Sequence, residues 1–182
     1  MLEYQENYLN TFESEALFTD LLANADWCRE SIFLYGKWRK TPRFTDWAGD
    51  AGLNYTYSGV DHITKAWPGV LDRLRLRLNK TLHQAFNFVL LNRYVDGQDS
   101  MGWHSDDEAG VGSVIASISL GASRRFLVKK KSETRSRKID LENGSLLVMS
   151  ENFQAEHQHA IPKTKRKVGE RINLTFRSIQ SL

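Results

Sequence analysis

The stretch Ala85–Tyr94, AFNFVLLNRY, marks the point at which the hydrophobic pattern of this chain changes. Before it, apolar residues recur every three or four positions, as in an amphipathic helix; after it they alternate, as in half-buried strands. Similar short runs follow at SVIASISL, RRFLVKK, GSLLVMS and RINLTFRSI, separated by Gly, Asn, Ser and charged residues. Several short strands after two helices favour a sandwich or barrel with helices packed on its outside. We therefore predict a mainly β fold with flanking helices, in the α+β class.

Two helices are predicted before this stretch. Between residues 12 and 25, helical spacing relates the apolar side chains of Leu17, Phe18, Leu21 and Leu22. A second helix begins at Pro68, a residue favoured in the first turn, and its apolar face carries Leu71, Leu74 and Leu78. The opposite face carries Arg73, Arg75 and Arg77. A solvated surface is the ordinary interpretation of such an arginine run.

Length and composition limit the class of protein. A chain of 182 residues with 41% hydrophobic residues suits one domain with a proper core. The net charge of +3 is small, so polyanion binding must be argued from local clusters. The lone Cys28 excludes an internal disulfide and suits a reducing compartment. A polar N-terminus and short apolar runs predict neither a secretion signal nor a membrane span, so we expect a cytoplasmic protein, or a nuclear one in a eukaryote. We also expect a monomer.

The segment Met101–Glu108, MGWHSDDE, concentrates one imidazole and three carboxylates in five residues. His104 and Asp106 are one residue apart, so in an extended chain both point to the same side and could hold one metal ion. A redox-active Fe(II) site needs two His and one carboxylate on one face. The third ligand is open among the other histidines, His62, His83, His157 and His159. His159 ends a strand-like stretch, which favours it, but a lone H-x-D is also common in surface turns.

The last strand-like run, RINLTFR, divides its side chains between two faces. Apolar residues fall on one face, and the other carries Arg171, Asn173, Thr175 and Arg177. Arginines on an inward face would be costly buried charges unless an anion pairs with them. The run FVLLNRY supplies Asn92 and Tyr94 on a matching face. Together these residues describe a cavity for a small diacid; the alternative is an edge strand with a solvated polar face.

Two segments combine features of nucleic-acid binding. Residues 32–57 hold seven of the twenty aromatic residues, interleaved with Lys37, Arg39, Lys40 and Arg43. The run KKKSETRSRK, Lys129–Lys138, carries six positive charges and one negative between strand-like segments. A long basic hairpin could clamp phosphates, although most charge runs are solvated loops.

These motifs resemble the AlkB family of Fe(II)/2-oxoglutarate-dependent dioxygenases. The family's order and approximate spacing are matched by NRYVDGQDSMGWHSDDE, IASISLGASRRF, LENGSLLVM, HQHAIP and RINLTFR. The DNA-repair branch is further resembled by YGKWRKTPR and NYTYSG. The resemblance covers residues 30–180. It implies one dioxygenase domain over residues 1–182, with a double-stranded β-helix (jelly-roll) core at 84–180 and a nucleotide-recognition segment at 30–60.

The resemblance also implies roles for particular residues. Fe(II) is expected on His104, Asp106 and His159, with His157 as the alternative third ligand and O2 as the oxidant. The co-substrate 2-oxoglutarate is expected at Asn92, Tyr94, Arg171, Asn173, Thr175 and Arg177, with Arg171 at its distal carboxylate. The substrate is expected to meet Tyr55 and Tyr57, which line the base pocket, Glu108 at the exocyclic amine, Tyr35 as a wedge in the base stack, and Arg43.

The reaction implied by the resemblance is direct-reversal repair of alkylated DNA. Oxidative demethylation of 1-methyladenine and 3-methylcytosine would release formaldehyde, succinate and CO2. A methylated pairing edge weakens pairing, which lowers the cost of rotating the base into a pocket. Two alternatives stay open: an RNA demethylase of the same family, and a nucleic-acid-binding jelly roll with an inactive iron site.

Overall fold

The computed structural model describes residues 1–34, 36–57, 60–108, 110–150 and 152–180, with side chains for all of these except residues 32–34, 54–57 and 60–62. The described residues form three helices, α1 (Thr11–Asn24), α2 (Gly69–Leu82) and α3 (Phe153–Glu156). They also form fourteen strands: β1 (Leu2–Gln5), β2 (Ser31–Leu34), β3 (Lys37–Lys40), β4 (Phe44–Gly49), β5 (Asn54–Tyr57), β6 (Val60–Ile63), β7 (Phe88–Tyr94), β8 (Met101–His104), β9 (Ile115–Gly121), β10 (Arg124–Lys130), β11 (Arg137–Leu141), β12 (Leu146–Met149), β13 (His157–Ile161) and β14 (Arg171–Arg177).

Most strands belong to two antiparallel sheets. The major sheet has the order β1-β12-β9-β14-β7-β4, and the minor sheet has the order β11-β10-β13-β8. Apolar side chains from both sheets form one buried cluster, which includes Tyr94, Ile115 and Leu147 from the major sheet and Phe126, Val128 and Ile161 from the minor sheet. The fold is therefore a mainly β jelly roll, as the alternating pattern and the family resemblance together predicted.

The two long helices cover the major sheet on its other face. Helix α1 begins with a capping box, in which Asn10 and Glu13 each accept a hydrogen bond from the other's backbone N–H at 2.9–3.0 Å. Helix α2 begins after Pro68 and buries Leu71, Leu74 and Leu78. These leucines share a cluster with apolar residues of β7, β9 and β14. None of the helices in the described ranges is long and apolar enough to cross a membrane.

Both predicted helices and all five predicted strand runs are confirmed, whereas β4, which has six residues in the major sheet, and the four-residue elements β1 and α3 were missed. Strand β1 pairs with β12 at the end of the major sheet, although the N-terminal sequence was interpreted only as polar. Helix α3 has four residues. Segments this short hold too few apolar positions to establish a period, and only their tertiary contacts specify them.

Two strand pairings bring the polar residues of interest together. In the minor sheet, His104 of β8 lies opposite His159 of β13. In the major sheet, β14 pairs with β7, so that Arg171 lies opposite Tyr94 and Asn173 opposite Asn92. Two further hairpins, β2–β3 and β5–β6, are formed from residues 31–63. Gly36, directly before β3, has a positive φ of 74°, which glycine adopts without strain.

Candidate active site

Three side chains with metal-ligand chemistry converge beside the end of β8. The His104 and His159 rings lie with their centroids 4.2 Å apart. The Asp106 carboxylate reaches both, with Oδ1 at 3.6 Å from His104 Nε2 and Oδ2 at 3.7 Å from His159 Nε2. All three ligand atoms lie within 4.8 Å of one another. Two imidazoles and one carboxylate are the donor set of a facial Fe(II) site, so this group could hold iron.

Both imidazoles are arranged to offer a lone pair. Burial, followed by the nearby His104, lowers the pKa of His159 to about 3, so its ring is neutral at physiological pH. His104 Nδ1 lies 2.9 Å from the Gly102 carbonyl oxygen. A proton on Nδ1 donates to that carbonyl and leaves Nε2 unprotonated toward Asp106.

The carboxylate of Asp106 is held in its ionised form although it is only 4% exposed. Burial by itself would raise its pKa, but the Arg177 guanidinium, whose Nη2 lies 3.1 Å from Asp106 Oδ1, and the two histidines together outweigh burial. The net effect holds the pKa of Asp106 well below its usual range. Arg177 therefore stabilises the anionic form of this ligand. Of the two buried arginines predicted from the sequence, Arg177 is thus paired with an anion of the chain itself.

A partly open cavity joins this group to the polar face of β14. Its lining includes all nine residues predicted for the metal and the co-substrate: His104, Asp106, His159, Asn92, Tyr94, Arg171, Asn173, Thr175 and Arg177. The alternation in RINLTFR thus describes an inward-facing polar surface and not a solvated edge.

Arg171 is a buried cation whose hydrogen bonds are incomplete. It is 1% exposed, and its Nη2 donates to Ser119 Oγ at 2.9 Å and to Asn173 Oδ1 at 2.7 Å. Its Nε and Nη1 atoms are buried with no acceptor among the described residues. Burial lowers its pKa to about 10, which still leaves it charged at neutral pH. Two free donors on a buried guanidinium fit one carboxylate of a diacid such as 2-oxoglutarate.

The two acidic residues after Asp106 differ in environment. Glu108 is half-buried, its Oε2 is buried with no partner in the described part of the chain, and burial raises the pKa of its carboxyl group. Asp107 instead pairs with Lys131 of the basic hairpin at 3.1 Å. Glu108 is therefore the residue of this pair whose carboxylate keeps an oxygen available to a ligand.

Three of the residues considered in the sequence analysis are not part of the metal-binding group. His157 stacks on Phe153 with centroids 4.7 Å apart, and His83 is the C-cap of α2, so neither joins the metal-binding group. Arg43 is 4% exposed, and its Nε donates a hydrogen bond to Asn92 Oδ1 at 2.6 Å. Its predicted contact with the substrate stays a prediction.

The predicted aromatic contacts to the base involve side chains that lie outside those the structure describes. Tyr35 lies outside the described residues. The backbones of Tyr55 and Tyr57 belong to β5, but their side chains are not among those described. All three roles stay predictions.

Three residues near the site were missed. Ser119 receives the hydrogen bond from Arg171 described above, and Ser117 Oγ donates to Asn173 Oδ1 at 2.9 Å. Their alternation with apolar residues in SVIASISL was a usable signal for an inward polar face. Gln154, by contrast, accepts a hydrogen bond from the Asp106 N–H, and nothing in its local sequence indicated this.

Comparison with known proteins gives consistent results. Residues 1–177 match the 2OG-Fe(II) oxygenase superfamily. The chain is similar to mouse DNA oxidative demethylase ALKBH2, with 39% identity over 180 residues that cover 92% of this chain and 75% of the relative. Mouse alpha-ketoglutarate-dependent dioxygenase alkB homolog 3 is 37% identical over 185 residues, covering 89% and 64%. The solved structure of OsALKBH1 has a similar fold, with a TM-score of 0.67, 17% identity and 97% coverage of both chains.

Proposed function

The chain belongs to the 2OG-Fe(II) oxygenase superfamily and to its AlkB group, and from that premise we propose that it is a DNA oxidative demethylase. Membership implies Fe(II), 2-oxoglutarate and O2. The proposed substrates are 1-methyladenine and 3-methylcytosine in alkylated DNA, with formaldehyde, succinate and CO2 as products. The name of the mouse relative, a DNA oxidative demethylase, supports this class of substrate.

One observation carries the proposal. The His104, Asp106 and His159 group and the buried, incompletely bonded Arg171 line the same cavity. A metal-ligand set alone would be compatible with many hydrolytic or structural sites. The buried cation Arg171 in the same cavity could bind one carboxylate of a diacid, which favours a dioxygenase that uses a keto acid.

Each residue then has a proposed task. When bound, iron together with 2-oxoglutarate and O2 supplies the oxidising power to hydroxylate an N-methyl group. Asp106 offers an ionised oxygen that Arg177 stabilises, His159 offers a neutral nitrogen, and His104 presents Nε2 because its Nδ1 faces the Gly102 carbonyl. Arg171 holds the distal carboxylate of the diacid. Glu108 accepts a hydrogen bond from the exocyclic amine of the methylated base, whose positive charge its carboxylate attracts.

Recognition of the nucleic acid is proposed for two exposed regions. All four residues of β3 are exposed, including Trp38 at 68%, and three of them are cationic. The basic hairpin, residues 129–138, exposes Arg135 and Arg137. Aromatic and cationic side chains suit base stacking and phosphate contacts. Tyr55 and Tyr57 are the proposed walls of the base pocket, Tyr35 the proposed wedge, and Arg43 a further proposed contact.

The proposed organisation follows from these regions. Residues 84–180 form the dioxygenase core of one domain spanning residues 1–182, and residues 30–60 recognise the nucleotide. We propose a monomer in the cytoplasm, or in the nucleus of a eukaryote. The lone Cys28, which suits a reducing compartment, supports this location. Size-exclusion chromatography of the purified chain tests the oligomeric state.

Formaldehyde release from a DNA duplex that carries one 1-methyladenine tests the function. We expect release that depends on iron and 2-oxoglutarate, and none from His104→Ala. Tyr35→Ala should lose more activity on duplex than on single-stranded DNA. Release from an RNA strand but not from DNA would favour the RNA demethylase. Nucleic-acid binding without succinate formation would leave only a binding protein.

A further inference from the structure

The Asp106 ligand lies beyond the strand that leads to it. Strand β8 ends at His104, and residues 105–108 belong to no helix or strand. Strand pairing therefore fixes His104 opposite His159 but does not fix the backbone at Asp106. Arg177 pairs with the Asp106 carboxylate at 3.1 Å, but the backbone of this residue, which is 4% exposed, needs a contact of its own.

Gln154 supplies that contact. Its Oε1 accepts a hydrogen bond from the backbone N–H of Asp106 at 3.0 Å, and the bond is buried. The side chain is 6% exposed, and its Nε2 lies 3.5 Å from the sulfur of Met149, a weak acceptor. The sulfur occupies the donor end of the amide, so the oxygen faces Asp106.

Because of the position of Gln154 in the chain, this hydrogen bond connects two segments that carry metal ligands. Gln154 belongs to α3, which leads directly into β13 and so to His159. One side chain thus joins the turn that carries Asp106 to the segment that carries the other ligand. A second, more peripheral bond joins the same two segments, because Ser105 Oγ donates to the His157 carbonyl at 2.8 Å.

We propose that Gln154 is a positioning residue for the iron site, which fixes the backbone at Asp106 so that its carboxylate and His159 face one metal ion before the ion arrives. The inference rests on the iron site of the proposed function. A ligand that is held in place beforehand loses little freedom on binding, and partners outside the ligand set commonly change metal affinity by about 10–100-fold.

Cobalt(II) titration of the apoprotein tests this role without turnover, since its visible absorption reports both affinity and ligand geometry. Gln154→Met keeps the volume of the side chain but removes the acceptor. We expect it to weaken Co(II) binding about tenfold or more and to alter the spectrum. Gln154→Glu keeps an oxygen that can accept the Asp106 N–H, so its affinity should stay within a few-fold of the unsubstituted protein or exceed it.

A matched control uses the same substitution nearby. The side chain of Gln158 points to the opposite face of β13 from His159, so Gln158→Met should bind Co(II) as the unsubstituted protein does. Circular dichroism of each apoprotein separates loss of the site from loss of the fold. If Gln154→Met does not fold, Gln154→Asn, which withdraws the oxygen by one methylene, carries the test.

Two results would overturn the proposal in distinguishable ways. If folded Gln154→Met binds Co(II) with unchanged affinity and spectrum, Gln154 is not a positioning residue and the proposed function stands. If the unsubstituted protein binds no Co(II), the iron site fails and both proposals fall with it.

Discussion

Arg171 shows how a single buried charge can be tied to a ligand. Its two unbonded donors lie in a cavity where water would be a poor replacement for a carboxylate. We predict that Arg171→Gln weakens 2-oxoglutarate binding to the Mn(II)-loaded protein about 10–100-fold, as expected when charged hydrogen bonds worth about 1.5–3 kcal/mol are removed. Isothermal titration measures this. Arg125→Gln, at an exposed ion pair with Asp140, is the control, and equal effects of the two substitutions would contradict the assignment.

The low pKa of His159 predicts that the folded protein becomes less stable in acid. This pKa is about 3 in the folded protein and 6.5 when the chain is unfolded, so between these values the unfolded state binds a proton that the folded state does not. The free energy of unfolding of the apoprotein should therefore fall as the pH drops from about 6.5, by up to about 1.4 kcal/mol per pH unit. Urea unfolding in the presence of a chelator measures it.

The control for this pH dependence is His159→Gln, which should flatten the slope above pH 4. The contribution of Asp106 begins lower, near its ordinary value of 3.8, so the two windows separate. An unchanged slope between pH 6 and 4.5 in the variant would refute the role of His159.

Single residues could be predicted where chemistry and period agreed. The polar face of RINLTFR and the H-x-D pair were visible in the sequence because side chains alternate along a strand. The choice between His157 and His159 was left open by spacing alone and needed the family resemblance. Gln154 could not be found, because its role depends on a contact across 48 residues that no local pattern encodes.

At the scale of elements, helix α2 illustrates a stabilising apolar face. Leu78 is fully buried against the major sheet, whereas Leu76 of the same helix is 54% exposed. We predict that Leu78→Ala lowers the free energy of unfolding by about 2–5 kcal/mol, because it leaves a cavity in the core. Leu76→Ala should change it by about 0.5 kcal/mol or less. Chemical denaturation compares them, and similar losses would mean that the helix does not bury this face.

If the basic hairpin contacts phosphates, it should contribute to the salt dependence of DNA binding. Arg135 and Arg137 are exposed there, while Arg73 and Lys80 are exposed on α2. Neutralising the hairpin pair to Gln should weaken duplex binding and reduce the slope of log K against log salt by about 0.9 for each phosphate that the protein no longer neutralises. Fluorescence anisotropy at several salt concentrations measures this. The same change at Arg73 and Lys80 of α2 should leave the slope unchanged. An equal reduction would mean that DNA is attracted by the overall charge of the protein and not by the basic hairpin.

Elements with a clear hydrophobic pattern could be predicted, and these include the short strand β12, whose four residues are all apolar and buried. The helices at 11–24 and 69–82 and the long strands each contain several repeats of their period. Strand β1 and helix α3 have four residues each, and tertiary contacts specify both. The basic run was predicted as a hairpin because it lies between strand-like segments, and β10 and β11 do pair there.

At the scale of the whole molecule, the candidate site depends on both sheets. The metal-binding group comes from the minor sheet and the turn after it, whereas Arg171, Asn173 and Asn92 come from the major sheet. No single motif holds the site, so its geometry requires the complete jelly roll. The fold class was predictable because the alternating pattern extends over half the chain, but the order of the strands in each sheet was not.

The central claim is that His104, Asp106 and His159 hold one metal ion in the cavity that receives a diacid at Arg171. Anomalous diffraction from crystals grown with Mn(II) and 2-oxoglutarate tests it most directly. We predict one strong manganese peak within bonding distance of both Nε2 atoms and an Asp106 oxygen, with the distal carboxylate of the diacid on Arg171. A peak elsewhere, or a diacid away from Arg171, would contradict the account.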